Sequence, residues 1–167
     1  PMASTTKIMT ALLLCELGGD LSKEIVTTRE MVTVEGSSMG LQVGDRVSYH
    51  DLLYGMMLSS GNDAANTVAL SLGGSVSGFA RLMNERAEKM GLENTHFVTP
   101  SGLDAEGHYT TAYELALITK EALANEQFAL AAHVATIALC QHVFAHLLHG
   151  LAGDNLRADS SLDSNIK

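Results

Sequence analysis

Ser4-Thr5-Thr6-Lys7-Ile8-Met9-Thr10-Ala11-Leu12-Leu13-Leu14-Cys15-Glu16-Leu17 decides the reading of this chain. From Ile8 to Leu17 the segment is apolar without strand alternation, which predicts a buried helix closed by Gly18-Gly19. Ser4 and Lys7, three residues apart, then share one helix face a turn apart. A serine hydroxyl attacks a carbonyl only when a base takes its proton. A neighbouring lysine can be that base if burial leaves its amine neutral. Ser4 would also lie in the first helical turn, where free backbone N–H groups favour negative charge. Ser-x-x-Lys equally describes an ordinary helix start, with Ser as N-cap and Lys solvated. A second element has to support the catalytic reading.

The surrounding composition is that of a folded, rather apolar protein. The 167 residues make about one domain, with 46% hydrophobic and 17% charged residues. A net charge of −9 from ten Lys and Arg against nineteen Asp and Glu argues against a nucleic-acid partner. Cys15 falls on the apolar face of the first helix and reads as a core residue; Cys140 is the only other cysteine. No stretch reaches the roughly 18 uninterrupted apolar residues of a membrane span. No signal peptide is visible, and Pro1-Met2-Ala3 looks like a chain cut at its front.

Along the chain, Glu24–Thr28 and Met31–Val34 are β-branched and predict strands or extended segments, with a further extended piece over Leu41–Val47. Ser48-Tyr-His-Asp51 has the form of a capping box and opens a helix through Leu58. A second helix should run from about Asp63 through Leu72. A third, Ser77–Met90, should put Phe79, Leu82, Met83, Ala87 and Met90 inward and Arg81, Glu85, Arg86 and Lys89 in water. Residues 92–107 read as loop, and Thr111-Ala-Tyr-Glu114 as another capping box. His96 and His108 are expected to satisfy loops rather than act as bases, and Met56, Met57, Met83 and Met90 to fill the core. The residues therefore predict a mainly α unit with a few short strands.

Ser60-Gly61-Asn62, where one apolar helix ends and the next begins, is the second element. Taken singly it is a helix C-cap followed by an N-cap, although Gly61 also allows close backbone approach and could leave a hydroxyl and an amide facing a cleft. Ser-x-x-Lys followed by Ser-x-Asn is the order found in penicillin-recognising serine enzymes, whose third element is Lys-Thr-Gly. Residues 1–13, Gly36-Ser-Ser-Met39, Leu58-Ser-Ser-Gly-Asn-Asp-Ala-Ala65, Met83–Ala87, Gly91–Phe97, Pro100–Asp104 and Gly107–Ala116 resemble the D-alanyl-D-alanine carboxypeptidases over about residues 1–132.

That resemblance implies a β-lactamase/transpeptidase-like α/β fold, of which this chain would hold the helical part with most of the sheet missing. It implies that Ser4 attacks the bond between two D-alanines of a peptidoglycan stem peptide and that Lys7 takes its proton. Ser60 would relay the proton to the leaving amine, while Asn62 holds the substrate amide or orients Lys7. The Ser4 backbone N–H would be one oxyanion donor. It further implies reaction of Ser4 with β-lactam antibiotics, no metal or other cofactor, and an extracytoplasmic location in the periplasm or on the outer face of the cell membrane. Membrane association would come only through segments absent here.

No Lys-Thr-Gly, His-Thr-Gly or Lys-Ser-Gly occurs in the 167 residues, so little or no carboxypeptidase turnover is expected from this chain alone. A related endopeptidase or β-lactamase-like enzyme, or a non-catalytic helical module that binds a partner or cell-wall peptide with an idle Ser4, are the alternatives. Residues 133–167 depart from the family and read as a divergent tail, helical and then frayed. His142, His146 and His149 there fall at i, i+4 and i+7, a spacing that could face a metal. No carboxylate accompanies them and no His-Glu-x-x-His pattern is present, so no metal site is assigned.

Overall fold

The computed structural model describes residues 2–141. A 3-10 turn, Ala3–Thr6, leads into α1 (Lys7–Leu17). There follow β1 (Glu24–Val26), α2 (Arg29–Val32), β2 (Arg46–Ser48), α3 (Tyr49–Ser59), α4 (Asn62–Gly73), α5 (Val76–Lys89), α6 (Ala112–Leu123) and α7 (Glu126–Gln141). The chain divides into a compact unit Pro1–Ala132 and a second, His133–Lys167, of which the described residues, 133–141, are helical. His142, His146 and His149 lie outside the described residues.

α1 is the axis of the first unit. Met9, Ala11, Leu12, Leu13 and Leu14 are all buried, as expected of a helix apolar on every side. It contacts α3, α4, α5 and α6, so the helix that carries the Ser-x-x-Lys pair is held from several directions. Leu52, Leu53, Val68, Phe79, Met83, Ile118 and Phe128 complete the core around it. Cys15 packs against this core, and burial pushes its thiol up to about 11, where it stays protonated and inert. Met56 and Met83 are buried, and Met57 and Met90 are partly buried against the same cluster. Among the described residues no single helix is long and apolar enough to cross a membrane.

Three sequence expectations are corrected here. Met31–Val34 forms no strand: α2 covers Arg29–Val32, and Thr33 and Val34 follow it outside both helix and strand. Thr28 stands as the N-cap of that turn with an extended backbone, and its N–H donates to Met31 Sδ at 3.4 Å. The strands that do form are β1 and β2, paired antiparallel with Ile25 opposite Val47. The capping box at Ser48 forms in full, with the Ser48 hydroxyl accepting from Asp51 N–H and the Asp51 carboxylate accepting from Ser48 N–H. At Thr111 only half of the box forms. Its hydroxyl accepts from Glu114 N–H, but the Glu114 carboxylate turns to Asn94 and Thr95 and anchors the loop before α6. The Thr95 hydroxyl above all holds that carboxyl below its usual range.

Arg86 is the third correction. It does not simply face water: it donates to Glu16 of α1 at 2.8 Å and to Glu121 of α6 at 2.7 Å, with 18% of its side chain exposed. A helical wheel marks the side on which Arg86 stands but not the two carboxylates that close over it. Arg86→Ala should lower stability by about 1 kcal/mol, read as a shift of the urea midpoint that shrinks at high salt.

Candidate active site

The 3-10 turn Ala3–Thr6 positions Ser4. Ala3 has φ +48, a left-handed conformation that costs a non-glycine residue about 1 kcal/mol. Lys7 N–H closes the turn onto the Ser4 and Thr5 carbonyls, and the Thr5 hydroxyl donates to the Met2 carbonyl. Ser4 thus precedes the regular helix in a tighter turn than an α-helical start, and its side chain is exposed.

Lys7 is 2% exposed. Its Nζ donates to the Ser101 carbonyl at 2.8 Å and lies 3.2 Å from Ser4 Oγ. Burial pulls its pKa down to about 8. At neutral pH about one molecule in ten therefore carries the free amine. In that form one N–H stays on the Ser101 carbonyl and the nitrogen lone pair is left for the Ser4 hydroxyl proton. An exposed hydroxyl beside a buried amine with a lowered pKa is the arrangement that activates a serine.

The segment 98–103 reaches this pair from far along the chain. Besides the Ser101 carbonyl, the Pro100 carbonyl accepts from Thr10 Oγ1 at 2.6 Å. Gly102, at φ +88, lies so close that a Cβ there would stand 1.8 Å from the Ala3 carbonyl oxygen. Thr6 Oγ1 is 2.9 Å from His108 Nε2, and His108 Nδ1 accepts from Val98 N–H at 2.9 Å. Sequence reasoning identified the pair but missed Ser101, which supplies the lysine's anchor.

Ser60, Gly61 and Asn62 form the junction of α3 and α4. Ser60 is left-handed (φ 53) as the C-cap of α3, and its buried Oγ has no hydrogen-bond partner among the described residues. Both features cost stability: a glycine would take this backbone freely, and a buried orphan hydroxyl is penalised. Ser60→Gly is expected to raise unfolding stability by about 1 kcal/mol in urea titration while lowering any acyl transfer.

Asn62 is 5% exposed and points its amide at the loop before it, donating to the Glu35 carbonyl at 2.6 Å. Its backbone N–H donates to the Ser37 carbonyl at 2.7 Å. No hydrogen bond joins Asn62 or Ser60 to Ser4 or Lys7 among the described residues. The expectation that Asn62 orients Lys7 finds no such contact; the Ser101 carbonyl holds the amine instead.

The neighbouring Asp63 was overlooked in the sequence. Fully buried, it accepts from Ser38 Oγ and from the N–H groups of Met39, Gly40, Leu41 and Ala64, which fastens loop 35–41 to the Ser-Gly-Asn junction. Desolvation opposes its charge, but those donors together keep its carboxyl below the ordinary value. An acidic residue in the first turn of a helix was the only sequence signal. Gly61 is required because a Cβ there would come within 2.8 Å of Asp63 Oδ1.

The chain is similar to known proteins over most of its length. A family model for D-alanyl-D-alanine carboxypeptidases matches residues 1–143. The chain is 42% identical over 132 residues to the carboxypeptidase DacB2 of Mycobacterium tuberculosis, covering 77% of this chain and 44% of that protein. To DacF of Bacillus subtilis it is 38% identical over 128 residues, covering 74% of this chain and 33% of the relative. The solved carboxypeptidase DacD of Francisella tularensis superposes with TM-score 0.74 at 36% identity, over 80% of this chain and 33% of that one. Penicillin-binding protein 6B of Escherichia coli gives TM-score 0.69 at 36% identity, over 75% and 43%. The chain thus spans between a third and a half of these relatives, and its fold is the helical part of theirs. By the family match over most of its length, this chain belongs to the D-alanyl-D-alanine carboxypeptidase family.

Proposed function

We propose that the chain carries the nucleophile and base of a serine D-alanyl-D-alanine carboxypeptidase acting on peptidoglycan stem peptides outside the cytoplasm. The carrying observation is the buried Lys7 amine, anchored on the Ser101 carbonyl and 3.2 Å from the exposed Ser4 hydroxyl. Lys7 takes the Ser4 proton as Oγ bonds to the carbonyl carbon between the two D-alanines. The C–N bond then breaks and the terminal D-alanine leaves as its amine is protonated. Water finally hydrolyses the ester on Ser4. Ser60, whose hydroxyl has no hydrogen-bond partner among the described residues, passes the proton from Lys7 to the leaving amine, and Asn62 holds the substrate amide. A β-lactam acylates Ser4 by the same attack.

The second reading is a helical binding module with an idle serine. Incubation of the chain with a fluorescent penicillin, followed by peptide mass spectrometry, separates the two. The proposal expects a slow stoichiometric adduct on Ser4, with little turnover of a D-Ala-D-Ala peptide. A folded chain that leaves Ser4 unlabelled supports the idle module.

A further inference from the structure

We infer that His108 is a positioning residue for the Ser4–Lys7 pair: it fastens segment 98–103, and with it the Ser101 carbonyl, to the turn that carries the nucleophile. The inference rests on the pair being the reacting groups, as proposed above. The two ring nitrogens have different duties. Val98 N–H donates to Nδ1 at 2.9 Å, so Nδ1 is an acceptor and carries no proton. The proton is then on Nε2, which donates to Thr6 Oγ1 at 2.9 Å. One end of the ring therefore grips the backbone of segment 98–103, and the other grips the residue just before Lys7.

The ring is buried, 8% exposed, and meets Phe97 edge-on at 6.0 Å. A protonated ring would aim an N–H at the Val98 N–H, so the geometry demands the neutral form. Burial favours the same form, while the nearby Asp104 and His96 act on it in opposite directions. Segment 98–103 has a second fastening in the Thr10 bond to the Pro100 carbonyl. Loss of the His108 bridge should therefore loosen the Lys7 anchor without removing it. Water then reaches the amine, and the burial that lowers its pKa is partly relieved.

Three variants test this. His108→Phe keeps the ring against Phe97 and removes both polar bonds. Thr6→Val cuts the Nε2 bond from its other end. His108→Gln offers one oxygen to Val98 N–H and one N–H to Thr6, and should restore what His108→Phe loses. The readout is the titration midpoint of Lys7 by NMR, followed by the rate of Ser4 labelling by penicillin.

The Lys7 midpoint of about 8 should rise by about one unit in His108→Phe and Thr6→Val and return in His108→Gln. Labelling should slow about tenfold in the first two variants and recover in the third. An unmoved Lys7 midpoint in Thr6→Val overturns the inference whether or not His108→Phe folds, as does a His108→Gln protein that behaves like His108→Phe. A wild-type chain that forms no adduct defeats the acyl-enzyme reading alone, because the Lys7 titration still decides the role of His108.

Discussion

Ser4→Ala is expected to remove penicillin labelling completely while leaving the fold intact. The side chain is exposed and precedes the regular part of α1, so deleting one hydroxyl opens no cavity, and the buried Lys7 amine that loses its bond to Ser4 Oγ keeps the Ser101 carbonyl. Lys7→Met is the companion variant. Methionine fills much of the same buried space but has no proton acceptor, so labelling should fall by about a hundred- to ten-thousand-fold, the usual worth of a positioned base. Stability should change in the opposite direction. Below about pH 8 the folded chain carries the Lys7 charge in a buried site, and that handicap is relieved as pH rises towards 10.5, where the unfolded chain also loses its proton. Lys7→Met should therefore be more stable than the wild type at pH 7, with the gap closing above pH 8. Urea midpoints across that range would check it, and a gap independent of pH would contradict a buried, perturbed amine.

Gly102→Ala should be the most damaging conservative change at the site. Its φ of +88 is already unfavourable for alanine, and the new Cβ would lie 1.8 Å from the Ala3 carbonyl oxygen and 2.9 Å from Thr6 Oγ1. The clash is with backbone, which cannot rotate away as a side-chain tip can. Either segment 98–103 lifts or the Ala3–Thr6 turn shifts, and either movement separates Lys7 from its anchor or Ser4 from Lys7. A loss of about 3 kcal/mol, from strain and overpacking together, is expected in urea unfolding. Ser4 labelling should be lost with it. Retention of wild-type labelling by a folded Gly102→Ala protein would show that this close approach does not position the nucleophile.

Local features were legible in the sequence, and contacts across long separations were not. The apolar run of α1, the capping box at Ser48 and the Ser60-Gly61 break between α3 and α4 depend on residues within a turn of one another, so spacing reveals them. Ser4 and Lys7 belong to the same class, and one helical turn brings them to 3.2 Å. The Lys7 anchor at Ser101 lies 94 residues away, and Thr6 meets His108 across 102. No periodicity encodes such a meeting. The four-residue α2 shows the converse, a short helical turn reaching Val32 at the edge of a stretch whose β-branched residues predict an extended chain. Asp63 could be read as a first-turn acid but not as the hub of loop 35–41, because its partners are backbone N–H groups that every loop possesses.

The most direct test of the central claim, that a buried Lys7 amine activates Ser4, is the rate of Ser4 acylation by penicillin from pH 6 to 10. The expected profile rises with pH and levels off, with a midpoint at about 8, and the adduct maps to Ser4 throughout. A rate that is flat across this range, or that is still rising towards pH 10 as for an ordinary exposed lysine, would contradict it.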